Sequence, residues 1–399
     1  MIWDKLEPII NRLEDDHTAD DWRRLFDKWA GHTWHDHEAP SELTSVLIVD
    51  ANAVTTDGTQ DLDALHTLLK DHVRSSISDL YLVSLFPHQV KPTDTAVNPR
   101  IRLFEDLGRF HDEFDLMYEM TPDVYNELQV DLLDETDAFI ERLAQGATKV
   151  RVHVQSFRGM PEERIKHVLE LWQLILHHYK PHGQLVLAYE GDADRTGSYF
   201  EVADVICHFD LASHTLLAFA QGNAKGLTDW ADNIEAPEDG KTYFNFLSTP
   251  ERDPFEKNLL EPSVDMLLAA HSVLFSLQGI PAVDYRTLLG VTTPVERAAL
   301  VQELKTDPYR LQVFSGILSQ LNVKRTHPAF SPYAEQRIIA TDKRVFTVER
   351  SGGGETLLLY TNVSDERVVI AASGTNLFTG EWVEAVVLEA YDFMWLERE

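Results

Sequence analysis

Cysteine is nearly absent: Cys207 stands alone in 399 residues, so no internal disulfide can form and no cysteine-based metal site can be built. That scarcity is expected of a cytoplasmic protein. Basic residues are also few, with 35 Lys and Arg against 66 Asp and Glu and a formal net charge of -31. Such a surface repels phosphate backbones and anionic lipid alike, which argues against nucleic-acid and membrane partners. No apolar run reaches the ~18 residues that a spanning helix needs. The N-terminal "MIWDKLEPIINRLEDD" places acids among its apolar positions and has no basic region leading into an apolar core, so it predicts an amphipathic helix and not a signal peptide. Internal repeats and low-complexity segments are missing. So is a Gly-rich phosphate loop after the first predicted strand, which argues against a dinucleotide-binding fold.

What the chain does contain is a strong alternation of short apolar runs with helical patterns. In "KVRVHVQSF" (149–157), Val150, Val152 and Val154 share one face while Arg151, His153 and Gln155 share the other, the period-2 signature of a strand. Seven further runs read the same way, at 45–51, 79–87, 114–120, 184–190, 202–209, 241–248 and 279–285. Between the fourth and fifth, Pro161 sets the start of a helix whose apolar stripe is Ile165, Val168, Leu169, Trp172, Ile175 and Leu176, and "KPHG" stops it. Eight strands with helices between them predict an α/β fold, a closed (β/α)8 TIM barrel, over 44–328. Residues 1–43 read as a helical segment ending in the His-rich "GHTWHDHEAP". From 329 to 399 short strands are split by turns ("SGGG", "NVSDE", Thr379-Gly380-Glu381), which predicts a C-terminal all-β domain.

In barrel enzymes the working residues stand at the C-terminal ends of the strands. Here those ends offer Asp50, His88, Glu119, Arg151 with His153, Glu190, His208 with Asp210, Glu251, and Asp284 with Tyr285. Carboxylates dominate. A ring of acids at a barrel mouth suits glycosidic bonds, where one carboxylic acid protonates the leaving oxygen and a second carboxylate attacks or guides the sugar carbon. Other features read more plainly. His32, His35 and His37 have the composition of a zinc or nickel site but fall in a loop, so no metal is predicted. His177 and His178 fit the negative end of a helix dipole, and Trp172 is core.

The segments "VLFSLQGIPAVDYRTLLG" (273–290), "THPAFSP" (326–332), "LLYTNVSDE" (358–366) and "NLFTGEW" (376–382) resemble the last barrel unit and C-terminal domain of the sucrose- and glucosylglycerate-phosphorylase branch of glycoside hydrolase family 13, the α-amylase family. The resemblance extends from about Ser45 to the C-terminus. It implies an insert domain after the third strand and a retaining mechanism with an aspartate nucleophile on the fourth strand, a glutamate acid/base on the fifth and a stabilising aspartate after the seventh. Arg151 matches the family's arginine and Glu190 its acid/base. His153 stands at the nucleophile position, Pro250 and Glu251 replace the His-Asp pair, and Glu119, Asp123 and Val124 occupy the third-strand positions.

An imidazole cannot supply the carboxylate that forms and releases a glycosyl ester, so ordinary double displacement is expected to be lost. Only about ten residues separate the third strand from "VDLLDETDAFIERL", which leaves no room for the insert domain. The resulting expectation is a catalytically inactive sugar-phosphorylase relative, with Arg151, His153, Glu190 and Glu251 as the degenerate catalytic positions. Glu119, His88, Asp50, Asp284 and Tyr285 are the substrate-binding candidates. No cofactor is implied. The partners this admits are a small sugar or sugar phosphate, or another protein. Two alternatives remain open: slow α-glucoside turnover by Glu190 with Glu251 or Glu119, and a scaffold or regulatory subunit.

Overall fold

The computed structural model describes residues 2–13, 16–34, 44–83, 103–120, 131–157, 159–191, 196–235, 237, 238, 240–249, 254–259, 262–291 and 294–398. Eight strands close a barrel in sequential order: β1 Val46–Asp50, β2 Asp79–Val83, β3 Asp115–Met120, β4 Ala147–His153, β5 Gln184–Ala188, β6 Val205–His208, β7 Thr242–Phe246 and β8 Ile280–Asp284. All eight predicted strands are present. The fourth, however, ends at His153, and Val154–Ser156 turn into a 3-10 helix. Gln155 therefore does not continue the polar face of Arg151 and His153, because the chain leaves the sheet to reach the next helix.

That helix spans Glu162–Tyr179, with Pro161 as the last extended residue before it (ψ 142°). The Pro161 carbonyl accepts the first intrahelical bond, from Ile165 N at 3.0 Å. Its predicted stripe is buried throughout, with Trp172 stacked on Phe139 at 5.0 Å between ring centres. Lys180, with φ -135° and ψ 87°, ends it. Trp172 Nε1 donates to Thr136 Oγ1 at 3.0 Å, so the ring is buried without an orphaned donor.

The chain divides into two compact units. One comprises Met1–Pro40 and Asp79–Cys207, and holds β2 to β5 and most of β6. In it, the N-terminal helices Trp3–Ile10 and Ala19–Trp29 pack against the barrel helices Glu162–Tyr179 and Leu132–Ala144. Trp22 is fully buried there, and Trp3 meets Phe26 edge-on. A capping box between Thr18 and Asp21 starts the second of these helices. His32 packs its edge on Trp29 and Trp34, while His35 and His37 lie outside the described residues.

The other unit comprises Ser41–Ser78 and His208–Glu399. It contains β1, β7, β8 and the predicted C-terminal β-domain. That domain is a six-stranded antiparallel sheet in the order Glu335–Ile338, Val345–Gly352, Glu355–Asn362, Phe393–Glu397, Gly374–Asn376, Trp382–Val383, with a two-stranded sheet beside it. "SGGGE" is the predicted hairpin turn. Gly353 and Gly354 have φ of 62° and 88°, the left-handed pair that a tight two-residue hairpin loop requires. Val345, Tyr360, Val368, Val386, Leu388 and Leu396 form the domain's core.

Candidate functional site

In the first unit, β2 and β4 are separated by β3, yet their side chains meet. Alternate strands of a closed barrel fill the same interior layer, which explains the pairing. Lys149 pairs with Asp79 in the lower layer, the two side chains being only 2% and 1% exposed. One layer higher, Arg151 Nη1 donates to the Tyr81 hydroxyl at 2.9 Å, with the guanidinium 5.5 Å from the centre of the Tyr81 ring. The period of two along "KVRVH" thus turns Lys149, Arg151 and His153 inward while Val150 and Val152 are buried beneath the helices.

Glu119 on β3 completes this corner. Its Oε2 accepts from the Tyr81 hydroxyl at 3.1 Å, and its Oε1 lies 2.7 Å from His153 Nε2 and 3.5 Å from Arg151 Nη1. His153 Nε2 also lies 2.7 Å from Arg151 Nη1. One ring nitrogen cannot both accept from a guanidinium and donate to a carboxylate. Placing the proton on Nε2 satisfies Glu119 and leaves the guanidinium with the Tyr81 oxygen and the Glu119 charge, so this tautomer fits the surroundings. Arg142 holds the backbone of the same residue, its Nε donating to the Glu119 carbonyl at 3.0 Å. The outcome is a carboxylate with both oxygens engaged and its charge balanced by a buried arginine. His153 and Glu119, 18% and 19% exposed, are the members of the cluster that reach the surface.

Glu190 belongs to the same unit and is exposed, two residues beyond the end of β5. In the second unit three of the predicted positions form a second corner. Asp284 caps the helix Tyr285–Leu289 by accepting from Arg286 N at 2.8 Å. The Arg286 guanidinium also grips that carboxylate, with Nε 2.9 Å from Oδ1 and Nη2 2.5 Å from Oδ2, and donates to the Thr249 carbonyl at 2.8 Å. Asp284 is therefore neutralised locally. Burial pushes the Tyr285 hydroxyl up to about 12, and the charges of Asp50 and Asp284 add to the rise. Asp50 turns back on its own loop, accepting from Asn52 N at 2.8 Å.

His208, at the end of β6, donates from Nδ1 to Asn245 Oδ1 at 2.8 Å and stacks on Tyr243. Burial lowers it to about 4, so it is neutral near pH 7. Glu251, His88, Pro250, Asp123 and Val124 lie outside the described residues. The structure thus brings together Arg151, His153 and Glu119 in one unit, and Asp50, Asp284 and Tyr285 in the other. Sequence reasoning missed Tyr81, Lys149, Asp79 and Arg286. The first three were signalled by the same period of two that exposed Arg151, since Asp79 and Tyr81 alternate on one face just as Lys149 and Arg151 do. Among the described residues no group of three or more His, Cys, Asp or Glu is arranged to hold a metal ion. Nor is any helix among them long and apolar enough to cross a membrane.

This fold is that of the α-amylases. An α-amylase from H. orenii superposes with a TM-score of 0.75 over 90% of this chain and 100% of its own, at 14% sequence identity. A cyclic α-maltosyl-(1→6)-maltose hydrolase from Arthrobacter globiformis gives 0.71 over 90% and 100%, also at 14%. No protein-family model matches the chain. Curated sequences do, and they narrow the relationship to one branch. The glucosylglycerate phosphorylase of Allomeiothermus silvanus is 26% identical over 348 aligned positions, covering 66% of this chain and 62% of the relative. That of Escherichia coli is 21% identical, covering 72% and 65%. The chain therefore spans less than two thirds of the length of these curated relatives. The resemblance to the sucrose- and glucosylglycerate-phosphorylase branch of glycoside hydrolase family 13, read from residues 273–382, is borne out.

Proposed function

We propose that this chain is a catalytically inactive relative of the sugar phosphorylases that binds a small sugar or sugar phosphate at the C-terminal end of its barrel. One observation carries the reading: His153, which the resemblance matches to the family's nucleophile, has its Nε2 2.7 Å from Glu119 Oε1. A retaining glycosidase needs a free carboxylate there, to form an ester with the anomeric carbon and later release it. An imidazole bonded to its neighbour does not replace that group. The Glu119 carboxylate is held by Tyr81 and His153 and faces Arg151, which lowers its power as a substitute nucleophile.

The barrel in this proposal runs over 44–328 and the β-domain over 329–399. The setting is the cytoplasm, with no metal or cofactor taking part. Glucose, sucrose, glycerate and glucose 1-phosphate are the ligands to titrate calorimetrically. The expected result is saturable heat with at least one of them, without phosphate release or consumption. Trapping a covalent glucosyl adduct on the chain would overturn the inactive reading. No heat with any of the four would remove sugar binding and leave the scaffold reading.

Slow turnover is the second reading, supported by the exposure of Glu190 just beyond β5, which the resemblance matches to the family's acid/base. It requires that Glu190→Gln abolish whatever α-glucoside turnover the wild-type chain has.

A further inference from the structure

In the first unit, Glu190 stands just beyond β5, between Tyr189 and Gly191. Ala188 lies opposite His153 in the ladder between β4 and β5, so the alternation that turns His153 inward assigns Tyr189 to the outer face and Glu190 to the inner one. The contacts of Tyr189 agree with that assignment. Its ring centre lies 4.9 Å from that of Tyr199, at an angle of 40°. Tyr199 is 1% exposed, and the Lys166 ammonium group sits 5.2 Å from its ring centre. Lys166 belongs to the helix Glu162–Tyr179 and donates to Ser198 Oγ at 3.1 Å, so the ring that Tyr189 packs on is fixed to the helix layer outside the barrel.

Residue 191 shows where the rest of the Tyr189 ring goes. A Cβ built on Gly191 would fall 2.6 Å from Tyr189 Cε1 and closer still to its Cζ and hydroxyl oxygen. The ring therefore folds back along the chain and fills the space that a side chain at 191 would need. Glu190 is the residue between them, so its backbone is gripped on both sides: at Tyr189 by the packing on Tyr199, and at Gly191 by the ring itself. Glu190 is exposed, which makes the direction of its carboxylate depend on how firmly this stretch of chain is held.

We propose that Tyr189 is a positioning residue for Glu190, holding the chain so that this carboxylate faces the C-terminal end of the barrel and meets a ligand hydroxyl there, a role that rests on the reading of that end as a sugar site. Residue 191 is glycine for the same reason, since a methyl group there displaces the ring. The atoms in the way are the far end of one side chain, so Gly191→Ala moves the ring and loosens Glu190 without unfolding the barrel.

The test uses the full chain, labelled for nuclear magnetic resonance relaxation, as wild type, Tyr189→Phe, Tyr189→Ala and Gly191→Ala. The backbone order parameter of Glu190 should be about 0.85 in the wild type and in Tyr189→Phe, which keeps the ring, and should fall below about 0.6 in the other two. An unchanged value in Tyr189→Ala overturns the proposal, and should that variant not fold, Gly191→Ala decides in its place. Calorimetric titration with glucose 1-phosphate adds a readout at the site itself. Its affinity should be kept by Tyr189→Phe and weakened about three- to tenfold by the two alanine variants. Wild-type affinity in both alanine variants also overturns the proposal. Should the wild type give no heat with any of the four ligands above, the sugar-site reading falls, and the order parameters still decide whether Tyr189 holds Glu190.

Discussion

Removing the Lys149 charge should unfold this barrel more readily than removing both members of its pair. Lys149 and Asp79 are 2% and 1% exposed and lie in the interior layer below Arg151. Lys149→Met leaves the Asp79 carboxylate inside the fold without its cation. Breaking a buried pair in this way costs about 3–5 kcal/mol, because the surviving charge keeps its desolvation penalty and loses its compensation. Asp79→Leu should cost a similar amount by stranding the ammonium. The double variant removes both charges and puts apolar volume in their place, so its stability should fall close to the wild type or above it, within about 1 kcal/mol on the unfavourable side. The coupling energy from the four proteins is then at least about 5 kcal/mol, several thousandfold in the folded-to-unfolded ratio. Guanidinium unfolding followed by far-UV circular dichroism and by tryptophan fluorescence reads all four, and coincidence of the two signals checks that one transition is being measured. If the costs of the single variants simply add in the double variant, the two residues are not a compensated pair and the reasoning fails.

Acid sensitivity should come in part from His271. Burial lowers this residue from 6.5 to about 4, while its Nδ1 donates to the Leu267 carbonyl at 2.8 Å. The folded state therefore favours the neutral ring, so its contribution is complete above pH 6.5 and is lost as pH falls toward 4. The gap between the two values corresponds to on the order of 3 kcal/mol. His271→Gln should flatten the stability profile between pH 7 and 4, and an unchanged slope would exonerate this residue. Gly146→Ala should destabilise by roughly 2 kcal/mol or more, since Gly146 has φ +99° and an added Cβ would fall 1.4 Å from His111 Nε2. His111→Ala in the same chain should recover part of the loss in a thermal melt. No recovery would assign the whole cost to the backbone conformation.

The contrast between the fold and the candidate site shows what a period can and cannot reveal. Alternation along "KVRVH" marked Arg151 and His153 as one face of a strand, because side-chain direction in a strand depends only on position within it. Strand β5 and the helix Glu162–Tyr179 were legible for the same kind of reason, their apolar positions being set by local geometry. Partners are different. Which acid meets His153 depends on how far β3 slides along β4, and that ladder carries a register shift between Leu116 and Met117 that leaves Glu119 opposite Arg151. No residue type in "FDLMYEM" announces a shift of that kind, and slipping the ladder by one residue would have turned Glu119 away from the imidazole.

The pairing of Tyr81 and Asp79 with β4 is one step further from the sequence. It joins strands that are not neighbours, and only closure of the barrel brings their inward faces into the same layers. Chemistry at the candidate site follows from those two facts of register and closure more than from the identity of any one residue. His153 by itself says only that an imidazole stands on the inward face of β4. It is the ladder, by bringing Glu119 to His153 and Arg151, that engages both oxygens of the carboxylate nearest that imidazole among the described residues.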